Sequence, residues 1–203
     1  NVKQGLSSFF ISDDDFARNK NWESILDKFI ELREVHKLKI SFTIQVDTLC
    51  HNLPGFIEKS GRAGVKRAFI GLENINPDSL LGASKRQNKI TDYRAMLLAW
   101  KKVGVITCCG YILGFPSDTQ ESILRDIEII KKELPVDLLE FFYLTPFPGS
   151  EDHKKLHIAG VAMDEDLNMY DANHPVTVHP KMSKKNWEEA CYKAWEAYYT
   201  YEH

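Results

Sequence analysis

Five short apolar runs, each followed by residues at helical spacing, occupy the first 145 positions, and that alternation leaves few folds open. The first run is Phe9 to Ser12, after which Trp22, Ile25, Leu26, Phe29 and Ile30 recur with a helical period. ISFTIQV, Ile40 to Val46, is rich in β-branched and aromatic residues and reads as a strand. LPGFIEKSGRAG, Leu53 to Gly64, reads as a short helix closed by a glycine, where a left-handed cap costs little. RAFIGL, Arg67 to Leu72, is the third strand, and Asn76-Pro77 is a helix start of cap and first-turn proline. Tyr93, Met96, Leu97, Trp100 and Val103 mark a helix ended by Gly104. ITCCGYILG, Ile106 to Gly114, is the fourth strand, Ile123, Ile127 and Ile130 mark its helix, and LLEFFYLT, Leu138 to Thr145, is the fifth strand. Helix-length crossovers impose parallel pairing. The near-continuous apolar character of the strands predicts cover on both faces. The class is α/β, an open parallel sheet or a barrel segment, because five strands are too few to close an eight-stranded barrel.

After PFPGS, Pro146 to Ser150, the pattern lapses. Glu151 to Met182 has loop character, and a last amphipathic helix follows Ser183 with Trp187, Ala190, Cys191, Ala194, Trp195 and Tyr198 as its packing stripe. The expected organisation is a main domain over 1–150 with a helical extension over 151–203 docked on it.

At 43% hydrophobic and 27% charged, the 203 residues can bury a real core. A net charge of -3 gives no electrostatic footprint for nucleic acid. No apolar run is long enough to span a bilayer and no signal-peptide pattern is present. Residue 1 is Asn rather than Met, which suggests a processed or excised piece. Cys50, Cys108, Cys109 and Cys191 form neither a disulfide framework nor a zinc spacing, so reduced thiols in a cytoplasmic protein are expected.

In parallel β/α folds, ligands bind at the carboxyl ends of the strands. Asp13, Asp14 and Asp15 follow the first strand, Gln45 and Asp47 end the second, and Glu73 ends the third. The fourth ends in Gly114-Phe115-Pro116-Ser117-Asp118, and the fifth carries Glu140. Acidic and amide groups therefore collect on one rim. The aspartate run also fits a solvated turn capping the next helix, and Asp47 a strand end. Capping favours Asn, Asp, Ser or Thr, so it explains Glu73 less well. Glu140 sits among leucines and phenylalanines and needs a partner or a ligand. Gly110 and Gly114 weaken a strand unless something must approach its backbone, which points to a flat ligand. Cys108 and Cys109 read as core, and the histidines, lacking metal spacing, as surface or loop residues.

With these residues assembled, the chain resembles the radical S-adenosylmethionine (SAM) superfamily, and within it the cobalamin-associated branch. The motifs are FFISDDDF, FIGLENINPDSL, GYILGFPSDT and LLEFFYLTPFPGS, in that order. The resemblance implies a partial (β/α) TIM-type barrel, with five parallel strands of a six-stranded core present here. It implies that Asp13 and Asp14 lie near the SAM amino end and that Gln45 and Asp47 also bind the cofactor. Glu73 would meet the ribose, and Gly110, Ile112 and Gly114 would support the adenine. Ser117 stands where the family's usual Glu follows, with Asp118 beside it. Arg86 or Lys89 would meet the SAM carboxylate, and Glu140 and Tyr143 would line the substrate pocket. The CxxxCxxC motif that binds the [4Fe-4S] cluster is absent from this chain and is expected upstream of Asn1, with any cobalamin domain. The full protein would cleave SAM to methionine and a 5′-deoxyadenosyl radical, acting on an unidentified small molecule by methyl transfer or cyclisation. The isolated chain would be inactive, with the remainder of the protein as its partner.

Two other readings stand beside this one. Asp13, Asp47 and Glu73 have the oxygen chemistry of a Mg or Mn site. The aromatic C-terminal helix and tail could instead be the docking surface of a non-catalytic interaction module, and a missing first barrel strand would leave an open sheet edge prone to pairing.

Overall fold

The computed structural model describes residues 1–76 and 90–200. Its strands are β1 Ser8–Phe10, β2 Ser41–Asp47, β3 Val65–Glu73, β4 Ile106–Leu113 and β5 Leu138–Tyr143. The helices are α1 Trp22–Glu34, α2 Phe56–Ala63, α3 Ile90–Lys102, α4 Gln120–Glu133, α5 Glu151–Ile158 and α6 Lys184–Tyr198. The five strands form one sheet in the order β1-β2-β3-β4-β5. β1 pairs parallel to β2 with Phe10 opposite Thr43, and β2 parallel to β3 with Gln45 opposite Phe69 and Asp47 opposite Gly71. Parallel strands in chain order with helical crossovers make the partial (β/α) barrel that the alternation predicts.

Cover is unequal on the two faces. In β2, Phe42, Ile44 and Val46 are buried while Ser41, Thr43, Gln45 and Asp47 are half-buried. In β3, Ala68, Ile70 and Leu72 are fully buried, and Phe69, Gly71 and Glu73 are half-exposed. β5 alternates in the same way, with Leu139, Phe141 and Tyr143 buried. The expected double cover holds in β4, where Thr107 to Tyr111 are buried on both parities, whereas β2, β3 and β5 are fully buried on one side only.

Two compact units are present. The first comprises the described residues of Asn1–Leu72, Asn88–Gly110 and Leu134–Glu140. Its core joins Leu26 and Ile30 of α1, Phe56 and Ile57 of α2, and Tyr93, Met96, Leu97 and Trp100 of α3. Phe56 is the hub, edge-on to Trp22 at 5.1 Å and to Trp100 at 6.1 Å. Gly64 ends α2 with φ 99°, and a Cβ there would collide with the Arg33 guanidinium, which donates to the Ile40 carbonyl.

The second unit comprises the described residues of Glu73–Gln87, Tyr111–Glu133 and Phe141–His203. Here Ile123, Ile127 and Ile130 of α4 are buried, as are Trp187, Ala190, Cys191, Ala194 and Tyr198 of α6. Ser183 caps α6 by accepting from the Asn186 N–H. The Glu151–Met182 segment is not wholly loop. Ser150 accepts from the His153 N–H, acidic Glu151 and Asp152 fill the first turn, and α5 follows. No residue of α5 is buried, so it carries no apolar period to betray it.

Candidate functional site

The aspartate run after β1 divides its labour. Asp13 accepts from the Asn19 side-chain amide at 2.7 Å and from the Asp15 N–H at 3.3 Å, as in a local turn. Asp14 is exposed. Asp15 accepts from Arg18 Nε at 2.9 Å, and the same Nε lies 3.0 Å from an oxygen of Asp47. The other Asp47 oxygen accepts from the Leu49 N–H at 2.9 Å. One guanidinium thus bridges the carboxylates at the ends of β1 and β2. Partial burial, and then repulsion from Asp47, raise the pKa of Asp15. The Arg18 pKa is raised by its hydrogen bond to Asp47. Beside the bridge is an open pocket of about 580 Å³ whose lining includes Arg18, Asn19, Trp22, Asp47 and Leu53. Sequence reading named the three aspartates and Asp47 but missed Arg18.

Glu73 ends β3 on the same strand face as Phe69 and Gly71, and its backbone lies in the left-handed region at φ 67°. A non-glycine residue held there costs on the order of 1 kcal/mol or more. On β4, Cys108, Gly110 and Ile112 share one parity. Cys108 donates its thiol hydrogen to Glu140 Oε1 at 3.0 Å, giving that carboxylate the partner it requires. Burial first, and then Glu140, push the Cys108 thiol up to about 12. Cys109, on the opposite parity, is fully buried, and burial raises its thiol too.

Tyr143 does not join Glu140. Three positions apart on one strand, the two face opposite ways. Tyr143 packs edge-on to Trp187 at 5.5 Å on the buried side, where burial raises its hydroxyl pKa, followed by its hydrogen bond with Cys191. Gly114 lies past the end of β4 rather than on a strand face with Gly110. Its φ is 102°, and a Cβ would fall inside the Trp187 ring. The close neighbour that demands a glycine here is therefore an indole of the same chain. The buried Asp118 accepts from the N–H groups of Gly114 and Phe115, both at 2.9 Å, and staples the turn. Asp126 of α4 is buried beside Arg125 at 3.7 Å, and its pKa is raised to about 6, by burial first and with Asp118 adding to it. Arg86 and Lys89 lie outside the described residues.

Asp13, Asp47 and Glu73 do not combine as metal ligands: among the described residues no three His, Cys, Asp or Glu side chains are so grouped. Asp13 instead accepts from Asn19, and Asp47 from Arg18. All four cysteines are buried, and they too form no such group, so these thiols do not fit a [4Fe-4S] cluster. No helix among the described residues is long and apolar enough to cross a membrane.

No protein-family model matches the chain. The chain is 31% identical over 126 residues to bacteriochlorophyllide d C-12(1)-methyltransferase of Chlorobaculum tepidum, covering 60% of the chain and 27% of that protein. It is 24% identical over 207 residues to bacteriochlorophyllide d C-8(2)-methyltransferase of the same organism, covering 99% of the chain and 44% of that protein. The chain thus spans less than half the length of either curated relative. Among solved structures, the radical SAM methyltransferase TsrM from Kitasatospora setae, with cobalamin and a [4Fe-4S] cluster bound, superposes with a TM-score of 0.76 at 14% identity. That match covers all of this chain and 44% of TsrM. The fold is that of the radical SAM enzymes. On this fold, β1 to β5 are consecutive strands of the partial barrel.

Proposed function

We propose that this chain is the later part of the catalytic core of a radical SAM methyltransferase. The observation that carries the reading is the coincidence of two independent similarities, one in sequence to methyltransferases and one in fold to a radical SAM methyltransferase. The residues suit SAM. Gln45, Asp47 and Glu73 are half-buried acceptors at strand ends, matched to an ammonium and to ribose hydroxyls. Gly110 lacks a side chain and Ile112 offers an apolar one to pack against a base, and Asp118 fixes the turn at Gly114. Glu140, held by Cys108, is the residue we assign to the substrate.

The cluster is not held by this chain's thiols, and its ligands would be supplied from outside these 203 residues. When bound, the cluster supplies the electron for SAM cleavage. What this chain contributes is orientation of SAM and exclusion of water. No residue here is assigned to cobalamin. The substrate is a small molecule, and the site of action is cytoplasmic.

The test is anaerobic assay of the intact, cluster-reconstituted protein with SAM labelled on its methyl group. Label should pass to an acceptor in wild type, and the rate should fall by about 100-fold in Glu73→Ala if ribose positioning is lost. Absence of SAM binding by the wild-type protein, measured by equilibrium dialysis, would discard the reading.

A further inference from the structure

We propose that His179 to Trp187 act as a strap that sets the conformation of the loop after β4, with His179 as its positioning residue. The inference rests on the reading of that loop as the support for the adenine of SAM. Nothing in the motif pattern marks His179: by spacing it is a loop histidine without a metal partner.

The geometry assigns it a specific task. Its Nε2 lies 2.9 Å from the carbonyl oxygen of Phe115, and its Nδ1 lies 3.1 Å and 3.0 Å from the N–H groups of Lys181 and Met182. A carbonyl only accepts and a backbone N–H only donates. The ring is therefore the neutral tautomer with its hydrogen on Nε2, and all three bonds are made at once. Lys181 adds a second tie, donating from Nζ to the Ser117 carbonyl at 2.8 Å. Trp187 adds a third by packing: it is 1% exposed, covers Gly114, and lies 5.3 Å from the His179 ring.

These ties complement Asp118. Asp118 takes the N–H groups of Gly114 and Phe115, while the strap takes the carbonyls of Phe115 and Ser117. Asp118 also donates its own N–H to the Phe115 carbonyl at 2.8 Å, so that oxygen accepts from both sides, and turning the peptide after Gly114, Phe115 or Ser117 breaks at least one bond. A binding loop fixed in this way is pre-organised, and its ordering need not be completed at the moment of binding.

Two amide replacements separate the strap's link to the loop from its own folding. His179→Asn keeps an acceptor at the Nδ1 position for Lys181 and Met182 but removes the donor to Phe115. His179→Gln places an amide N–H near the Nε2 position and gives up the internal turn. SAM affinity of the intact reconstituted protein is read by equilibrium dialysis, with thermal melting in parallel. We expect SAM binding to weaken about tenfold in His179→Asn, the scale of one lost hydrogen bond, and to stay within about threefold of wild type in His179→Gln. Affinity unchanged in His179→Asn, or equally weakened in both variants, would overturn the strap. Failure of wild type to bind SAM would instead overturn the functional reading beneath it.

Discussion

Glu140 illustrates how much strand parity alone conveys about single residues. Its place among Leu138, Leu139, Phe141 and Phe142 announces a carboxylate in need of a partner, and the Cys108 thiol meets that need. Replacing Glu140 by Gln removes the charge that disfavours a neighbouring thiolate. The Cys108 pKa should then fall from about 12, though not to its ordinary value, because burial is the larger cause and remains. Alkylation of Cys108 followed by mass spectrometry across pH measures this, and an unchanged profile would contradict the pairing. Asp126 gives a second expectation. Its pKa is raised to about 6 in the folded protein from 3.8, so the native state binds the extra proton between those values. Its contribution to stability is complete below about pH 4 and declines as pH rises through 6. The melting temperature of Asp126→Asn should therefore gain on wild type as pH goes from 4 to 7. That Gln45, Asp47, Glu73 and Glu140 stand at half-buried strand positions was legible from alternation. Arg18 was not, since its bond to Asp47 spans 29 positions and depends on how β1 registers on β2. Tyr143 was misplaced where parity, applied to it as to Glu140, puts it on the buried side.

At the scale of elements, strands and crossover helices followed from apolar periodicity, with ends shifting by one to three residues where capping decides. α5 escaped because it buries nothing: its signals are a serine cap and two first-turn acids. α6 combines both kinds of signal, a buried stripe and the Ser183 cap. Ser183→Ala should cost about 1 kcal/mol and lower the melting temperature by about 2–4 °C. Gly114→Ala should cost about 2 kcal/mol or more, because a left-handed backbone and a buried ring both oppose the methyl group. Trp187→Leu added to that variant should recover part of the loss. Strict additivity of the two changes in denaturant melts would show that their atoms do not meet.

For the whole molecule, the alternation of strands and helices carries the architecture, while the proposed chemistry calls for cluster ligands that this chain's thiols do not form. Its four buried cysteines are not grouped as metal ligands. The 203-residue chain, treated anaerobically with iron and sulfide, should therefore acquire no stoichiometric [4Fe-4S] cluster, as judged by iron analysis and visible absorption. Uptake of about four irons per chain would show that ligands exist here after all.

The fit of the Trp187 indole over residue 114 also constrains protein engineering. Chimaeras that graft the tail of one such barrel onto another would import either a ring with no room or a hole with no filler. The two positions, 73 residues apart in the chain, have to be transplanted as a pair.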